Sequence, residues 1–241
     1  MPQTTIYSES FNIRASEVDN DSDITIAAIC ELFQEVAGNH ALQLNFDITD
    51  LHKQGLTWVL HRMDIQVKSF PKWRQKVTIE TWPAAGDGLR AYRNYRILDE
   101  DQNELVVCLS YWMMINLKTR RPTRMTEEIL NTRFSDRDHT LPIKSSKISK
   151  LTNADASKQV VVRKSDLDMN QHVNNARYME WLIEALPASY NQKPAGVDIV
   201  FLRESIYGDT LTSSVQQLEK HTLHTLVNQK DEIVAQAEFY Y

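Results

Sequence analysis

Residues 160–186, VVVRKSDLDMNQHVNNARYMEWLIEAL, repeat the pattern of residues 11–37, FNIRASEVDNDSDITIAAICELFQEVA, at a constant offset of 149 with no gap. Arg14/Arg163, Ser16/Ser165, Asp19/Asp168, Ala27/Ala176, Glu31/Glu180 and Glu35/Glu184 are identical, and Glu17/Asp166, Val18/Leu167 and Ile24/Val173 are conservative. Each copy reads as a strand, a polar loop and an apolar helix. Ile29, Leu32, Phe33, Val36 and Ala37 fall on one helical face, as do Met179, Leu182, Ile183 and Leu186. The second helix is expected over 173–186. Asp21, Ser22 and Asp23 are N-cap candidates for the first helix, and Asn170 or His172 lies near the start of the second.

Strand patterns follow each helix. The first set is 59–67, 76–82, 90–98 and 105–117; the second is 197–203, 210–218, 221–228 and 232–241. Turn signals separate the first set: Phe70-Pro71-Lys72, Ala85-Gly86-Asp87-Gly88 and the polar run 99–103. Strands this close in sequence pair antiparallel. A sheet with one apolar face must cover it, and one apolar helix per half does so. Each half is therefore an α+β unit of one helix and about four strands, with a further strand before the helix. Residues 1–121 and 158–241 are the expected domains, and the polar, basic segment 122–157 is the expected surface linker.

With 241 residues, 42% of them hydrophobic and 24% charged, the chain is long enough for two such units. A net charge of −5 gives no global basic field and argues against nucleic acid as a partner. Cys30 and Cys108 fall in apolar patterns and are expected to be buried, reduced thiols. The first residues lack a basic and apolar leader pattern. The longest apolar run, 105–117, is broken by Ser110 and Asn116 and falls short of the ~20 residues that span a bilayer. A cytoplasmic location without membrane insertion is the expectation.

The second copy holds the chemistry. In Asp168-Met169-Asn170-Gln171-His172, an acid, an amide and an imidazole occur at alternate positions before a helix. In an extended segment they would face one cavity. The first copy has Asp19, Asp21 and Asp23 there. A second local match, 63–78 against 197–212 at offset 134, sets Glu204 opposite Phe70. Only the second half thus unites Asp, Asn, His and Glu.

The run D-L-D-x-N-Q-H-V-N-N-x-x-Y, Asp166 to Tyr178, resembles the signature of the acyl-[acyl carrier protein] thioesterases, and weaker likeness extends over most of the chain. The resemblance implies a double hotdog fold, two antiparallel sheets each wrapped around a long central helix. It implies hydrolysis of fatty acyl-carrier-protein thioesters, terminating fatty acid synthesis, with water as co-substrate and no cofactor or metal. It places catalytic residues at Asp168, Asn170, His172 and Glu204, and an acyl-chain pocket in the first half. Glu204 could serve as base on water or as nucleophile; His172 could bind the carbonyl, the water or Glu204; Asn170 could orient water or carbonyl; Asp168 could orient Asn170 or His172. Backbone amides at the second helix start could hold the oxyanion. Related sequences often carry Glu-Cys where this chain has Glu204-Ser205, which argues here against a thiolate mechanism.

Three other readings compete. An acyl-coenzyme A thioesterase needs the same residues. A non-catalytic acyl-thioester-binding module would need an output element that the chain has no spare segment for. A calcium loop at Asp19-Asn20-Asp21-Ser22-Asp23 lacks the required Gly, where Ile24 stands, and the closing Glu, where Cys30 stands. Trp58, Trp73, Trp82, Trp112 and Trp181 are expected in core or pocket wall. Basic groups at Lys118/Arg120/Arg121/Arg124, Lys144/Lys147/Lys150 and Arg163/Lys164 are solvated surface or a dock for the acidic carrier protein. The fused halves make an internal pseudo-dimer, so a monomer or a homodimer is expected.

Overall fold

Helix α1 (Ile26–Gln43) opens at Thr25, whose hydroxyl accepts a hydrogen bond from Ala28 N at 3.1 Å. The computed structural model describes residues 6–84, 86–132, 137–190 and 192–241. Ala85 of one expected turn and residues 133–136 of the expected linker lie outside them. Thr25 caps α1 instead of Asp21, Ser22 or Asp23, which lie in the preceding turn. The helix buries Ile29, Cys30, Phe33 and Val36 completely, and Phe33 stacks on Tyr95 at 4.6 Å.

Two compact units result. The first comprises Met1–His61 and Val67–Ile143; the second comprises Arg62–Gln66 and Lys144–Tyr241. In the first, β1 (Tyr7–Asn12) precedes α1, and the short α2 (Ile48–Lys53) follows it. Then come β2 (Leu56–Val67), β3 (Lys76–Ala84), β4 (Arg90–Leu98), β5 (Glu104–Asn116), β6 (Arg121–Thr123) and α3 (Glu127–Leu130). The sheet order is β1-β3-β4-β5-β2, with β6 on β5. Phe11 pairs with Val77 and Tyr95 with Cys108, and α1 packs on β1 and β3.

The second unit repeats this plan. β7 (Ala156–Val161) leads into α4 (Asn175–Ile183), then β8 (Gly196–Phe201), β9 (Thr210–Gln217), β10 (His221–Asn228) and β11 (Ile233–Tyr240). The order runs from Arg62–Gln66, in the later half of β2, through β8-β11-β10-β9-β7. Helix α4 packs on β9 and β10. Each unit is a hotdog, an antiparallel sheet around its main helix, as expected. The second helix differs: it has nine residues, not the fourteen of the expected 173–186. Asn174 caps it through Ala176 N at 2.9 Å, and Pro187 follows shortly after its end, where proline cannot continue a helix. The last-turn carbonyl of Leu182 is satisfied by His224 Nδ1 at 2.8 Å.

The segment read as a linker is anchored at several points. Met125, Ile129, Leu141 and Ile148 are buried, and Thr140 donates to the Cys108 carbonyl at 2.8 Å. Within the second unit, Lys144 joins a buried ionic cluster. Asp64 and Asp198 face each other across β2 and β8. Arg62 holds Asp198 with two bonds of 2.8 and 2.6 Å and the Ser146 carbonyl at 2.9 Å. Lys144 reaches Asp64 at 2.8 Å and Asp198 at 3.1 Å. Burial outweighs the nearby Lys144 and holds the Asp64 carboxyl above the usual range. Lys144 is therefore spent inside the fold, not free for a docking partner. Cys30 and Cys108 are buried free thiols, as expected, and burial pushes Cys30 up to about 12. Trp82 and Trp181 are core residues, but Trp73 is exposed, with Arg74 over its ring at 4.1 Å.

Candidate active site

The segment 168–172 is not extended. It is a tight turn closed by a bridge between Leu167 and Val173, with Gln171 at φ 63°. Asp168 N donates to the His172 carbonyl at 2.7 Å, and Gln171 N to the Asp168 carbonyl at 3.0 Å. The Asp168 carboxylate turns inward: one oxygen accepts from the amides of Asn170 at 2.8 Å and His172 at 3.2 Å. Alternation therefore does not align the three side chains. The turn fixes their backbone instead, because an Asp side chain hydrogen-bonds backbone two residues on.

Two further contacts fix this turn. Val173 N donates to the Ser205 carbonyl at 2.9 Å, which ties the turn to the segment after β8. Asn174 N donates to the Asp166 carbonyl at 2.9 Å. Asp166 is itself held by Arg163, through its backbone N–H at 2.7 Å and its guanidinium at 3.1 and 2.8 Å. Burial works to raise the Asp166 carboxyl, but the Arg163 bonds outweigh it and hold the group below the usual range.

The result brings His172 and Glu204 together. His172 Nε2 lies 3.4 Å from Glu204 Oε2, with the side chains 30% and 40% exposed. That is ion-pair range, longer than a strong hydrogen bond, and catalytic contacts commonly tighten only around substrate. Asn170 is exposed on the same turn. A water beside this pair would meet a carboxylate and an imidazole. The helix start is less open than expected: the amides of Val173, Asn174, Ala176 and Arg177 already have acceptors within the chain.

Ser205 is buried, and its hydroxyl lies near that of Tyr178 without hydrogen-bond geometry to it. Burial pushes Tyr178 up to about 12, with Ser205 nearby pulling the other way. The Ser205 hydroxyl is thus enclosed, unlike the part-exposed His172–Glu204 pair. Sequence reasoning missed the supporting parts, Arg163 with Asp166, the left-handed Gln171 and the Ser205 carbonyl. The Arg163–Asp166 pair was visible as Arg14/Arg163 and Glu17/Asp166 in the repeat; the backbone contacts left no signal.

The acyl-ACP thioesterase N-terminal domain model matches residues 4–132, and the C-terminal domain model matches residues 149–241. The chain belongs to the acyl-ACP thioesterase family. It is 32% identical over 195 residues to a palmitoyl-acyl carrier protein thioesterase, chloroplastic, of Gossypium hirsutum, covering 76% of this chain and 47% of that one. It is 31% identical over 227 residues to an oleoyl-acyl carrier protein thioesterase, chloroplastic, of Coriandrum sativum, covering 86% and 61%. The chain thus spans about half to three-fifths of the length of these curated relatives. The crystal structure of an acyl-ACP thioesterase from Bacteroides thetaiotaomicron aligns with a TM-score of 0.89 at 25% identity, covering 100% of this chain and 99% of that one. Membership of the acyl-ACP thioesterases fixes the fold as a double hotdog. Among the described residues, no helix is long and apolar enough to cross a membrane.

Proposed function

We propose that this acyl-ACP thioesterase family member hydrolyses fatty acyl thioesters of acyl carrier protein, releasing free fatty acid and ending chain growth. The observation that carries the reading is the His172–Glu204 pair, 3.4 Å apart, with His172 inside the signature-like run 166–178 and both residues inside the matched C-terminal domain. The palmitoyl- and oleoyl-acyl carrier protein thioesterases among its relatives support a fatty acyl-carrier-protein substrate.

Glu204 takes a proton from water as the water oxygen attacks the thioester carbon. His172 holds the water or Glu204, takes that proton over from Glu204 and passes it to the leaving sulfur, so that both side chains end as they began. The C–S bond breaks, and fatty acid and carrier-protein thiol leave. Asn170 presents its amide to the carbonyl or the water. The alternative in which Glu204 itself attacks uses the same geometry. The first unit lacks the pair: Phe70 stands opposite Glu204, and Asp23 is bound by Lys72. Its proposed part is the acyl-chain pocket.

The test measures free fatty acid release from matched acyl-carrier-protein and acyl-coenzyme A substrates, with Glu204→Ala alongside. Fast turnover of carrier-protein substrates, lost in Glu204→Ala, is the expected result. A preference for coenzyme A substrates would move the substrate assignment. Acyl binding without hydrolysis of either would remove the enzyme reading.

A further inference from the structure

The active turn exists twice, and only one copy carries chemistry. In the first unit, Asp19 Oδ1 accepts from the amides of Asp21 at 2.9 Å and Asp23 at 3.1 Å. Asp168 does the same with Asn170 and His172. Asp19 N donates to the Asp23 carbonyl at 2.8 Å, and Ser22 N to the Asp19 carbonyl at 3.1 Å. Ile24 N reaches the Pro71 carbonyl and Thr25 N the Glu17 carbonyl, both at 2.9 Å, the counterparts of Val173 to Ser205 and Asn174 to Asp166. Ser22 has φ 64° where Gln171 has 63°, and Val18 bridges Ile24 as Leu167 bridges Val173. Even the flanking clamp recurs, Arg14 on Glu17 at 2.9 Å.

The side chains with catalytic potential differ between the copies: Asp21 for Asn170, Asp23 for His172, Phe70 for Glu204. The carboxylate at 19 and 168 is retained with the same two backbone bonds. A group that keeps its contacts where there is no His–Glu pair serves the turn, not the chemistry. We propose that Asp168 is a positioning residue. It acts through the amides of Asn170 and His172, holds the turn that sets His172 beside Glu204, and exchanges no proton with water or substrate. This inference rests on the thioesterase reading for its kinetic consequence, and on the turn alone for its structural one.

The test compares Asp168→Asn, Asp168→Ala and Asp19→Ala with the wild type. It measures kcat, KM and their pH profiles on a palmitoyl-carrier-protein substrate, and amide hydrogen exchange at residues 170 and 172. An asparagine oxygen still accepts both amides, so Asp168→Asn keeps kcat within about fivefold, the gap between a neutral and a charged acceptor. Both limbs of its pH profile stay in place. Asp168→Ala frees the turn and lowers kcat on the order of 100-fold at similar KM, the cost of misplaced groups. Exchange at 170 and 172 quickens in Asp168→Ala and stays slow in Asp168→Asn. Asp19→Ala loosens the other turn and leaves kcat of the folded protein at the wild-type level. Asp168→Asn as inactive as Asp168→Ala, with a pH limb lost and slow exchange retained, overturns the proposal. A wild type that hydrolyses no thioester refutes the function instead. The exchange arm then decides alone, and unchanged exchange in Asp168→Ala overturns the positioning role.

Discussion

Acidification should weaken the second unit through one buried imidazole. His224 is 1% exposed on β10, packed on Phe239 at 4.5 Å. Its Nδ1–H donates to the Leu182 carbonyl at 2.8 Å, so Nε2 is free to accept from the Thr222 hydroxyl at 2.7 Å. Both bonds suit the neutral ring, and burial pushes the group down to about 4 from 6.5. Between those values the unfolded chain binds the proton and the folded chain does not. Stability from this group is therefore complete above pH 6.5 and falls as pH drops toward 4. At 1.36 kcal/mol per unit, the full span is worth about 3 kcal/mol, of which roughly 2 kcal/mol is gone by pH 5. The assay is urea unfolding at pH 7.5, 6 and 5, followed by far-ultraviolet circular dichroism, for wild type and His224→Asn. Asparagine keeps a donor for Leu182 and removes the titration. The wild type should lose stability relative to the variant across this range. Parallel curves for the two proteins would refute the buried neutral imidazole.

Two further outcomes follow from the packing. Arg62→Met strips Asp198 of its paired guanidinium and should cost about 3–5 kcal/mol, because it leaves buried carboxylates under-compensated; denaturation at pH 7.5 measures it, and a cost below 1 kcal/mol would contradict the buried cluster. Ser205→Ala should leave thioester turnover largely intact, whereas loss of a true nucleophile costs on the order of a million-fold; a comparable drop would restore Ser205 to the chemistry.

Much of this protein was legible in its sequence. The repeat at offset 149, the two helical stripes and the alternating strands follow from periodicity, which reflects burial of one face, and burial acts on every residue of an element. β4 and β10 match their expected bounds, and Asp168, Asn170, His172 and Glu204 could be named from the signature and from the difference between the halves. What the pattern could not supply was direction. The turn that carries Asn170 and His172 is held by bonds from Val173 and Asn174 to the Ser205 and Asp166 carbonyls, which any residue could supply, by the Asp168 carboxylate on two amides, and by a left-handed Gln171 that carries no glycine to announce it. Likewise Lys144 looked like surface charge until β2 and β8 set Asp64 beside Asp198 and drew it in. Composition and spacing fix which groups are available. Only tertiary pairing decides which of them meet, because a hydrogen bond or ion pair depends on ångströms between segments far apart in the chain.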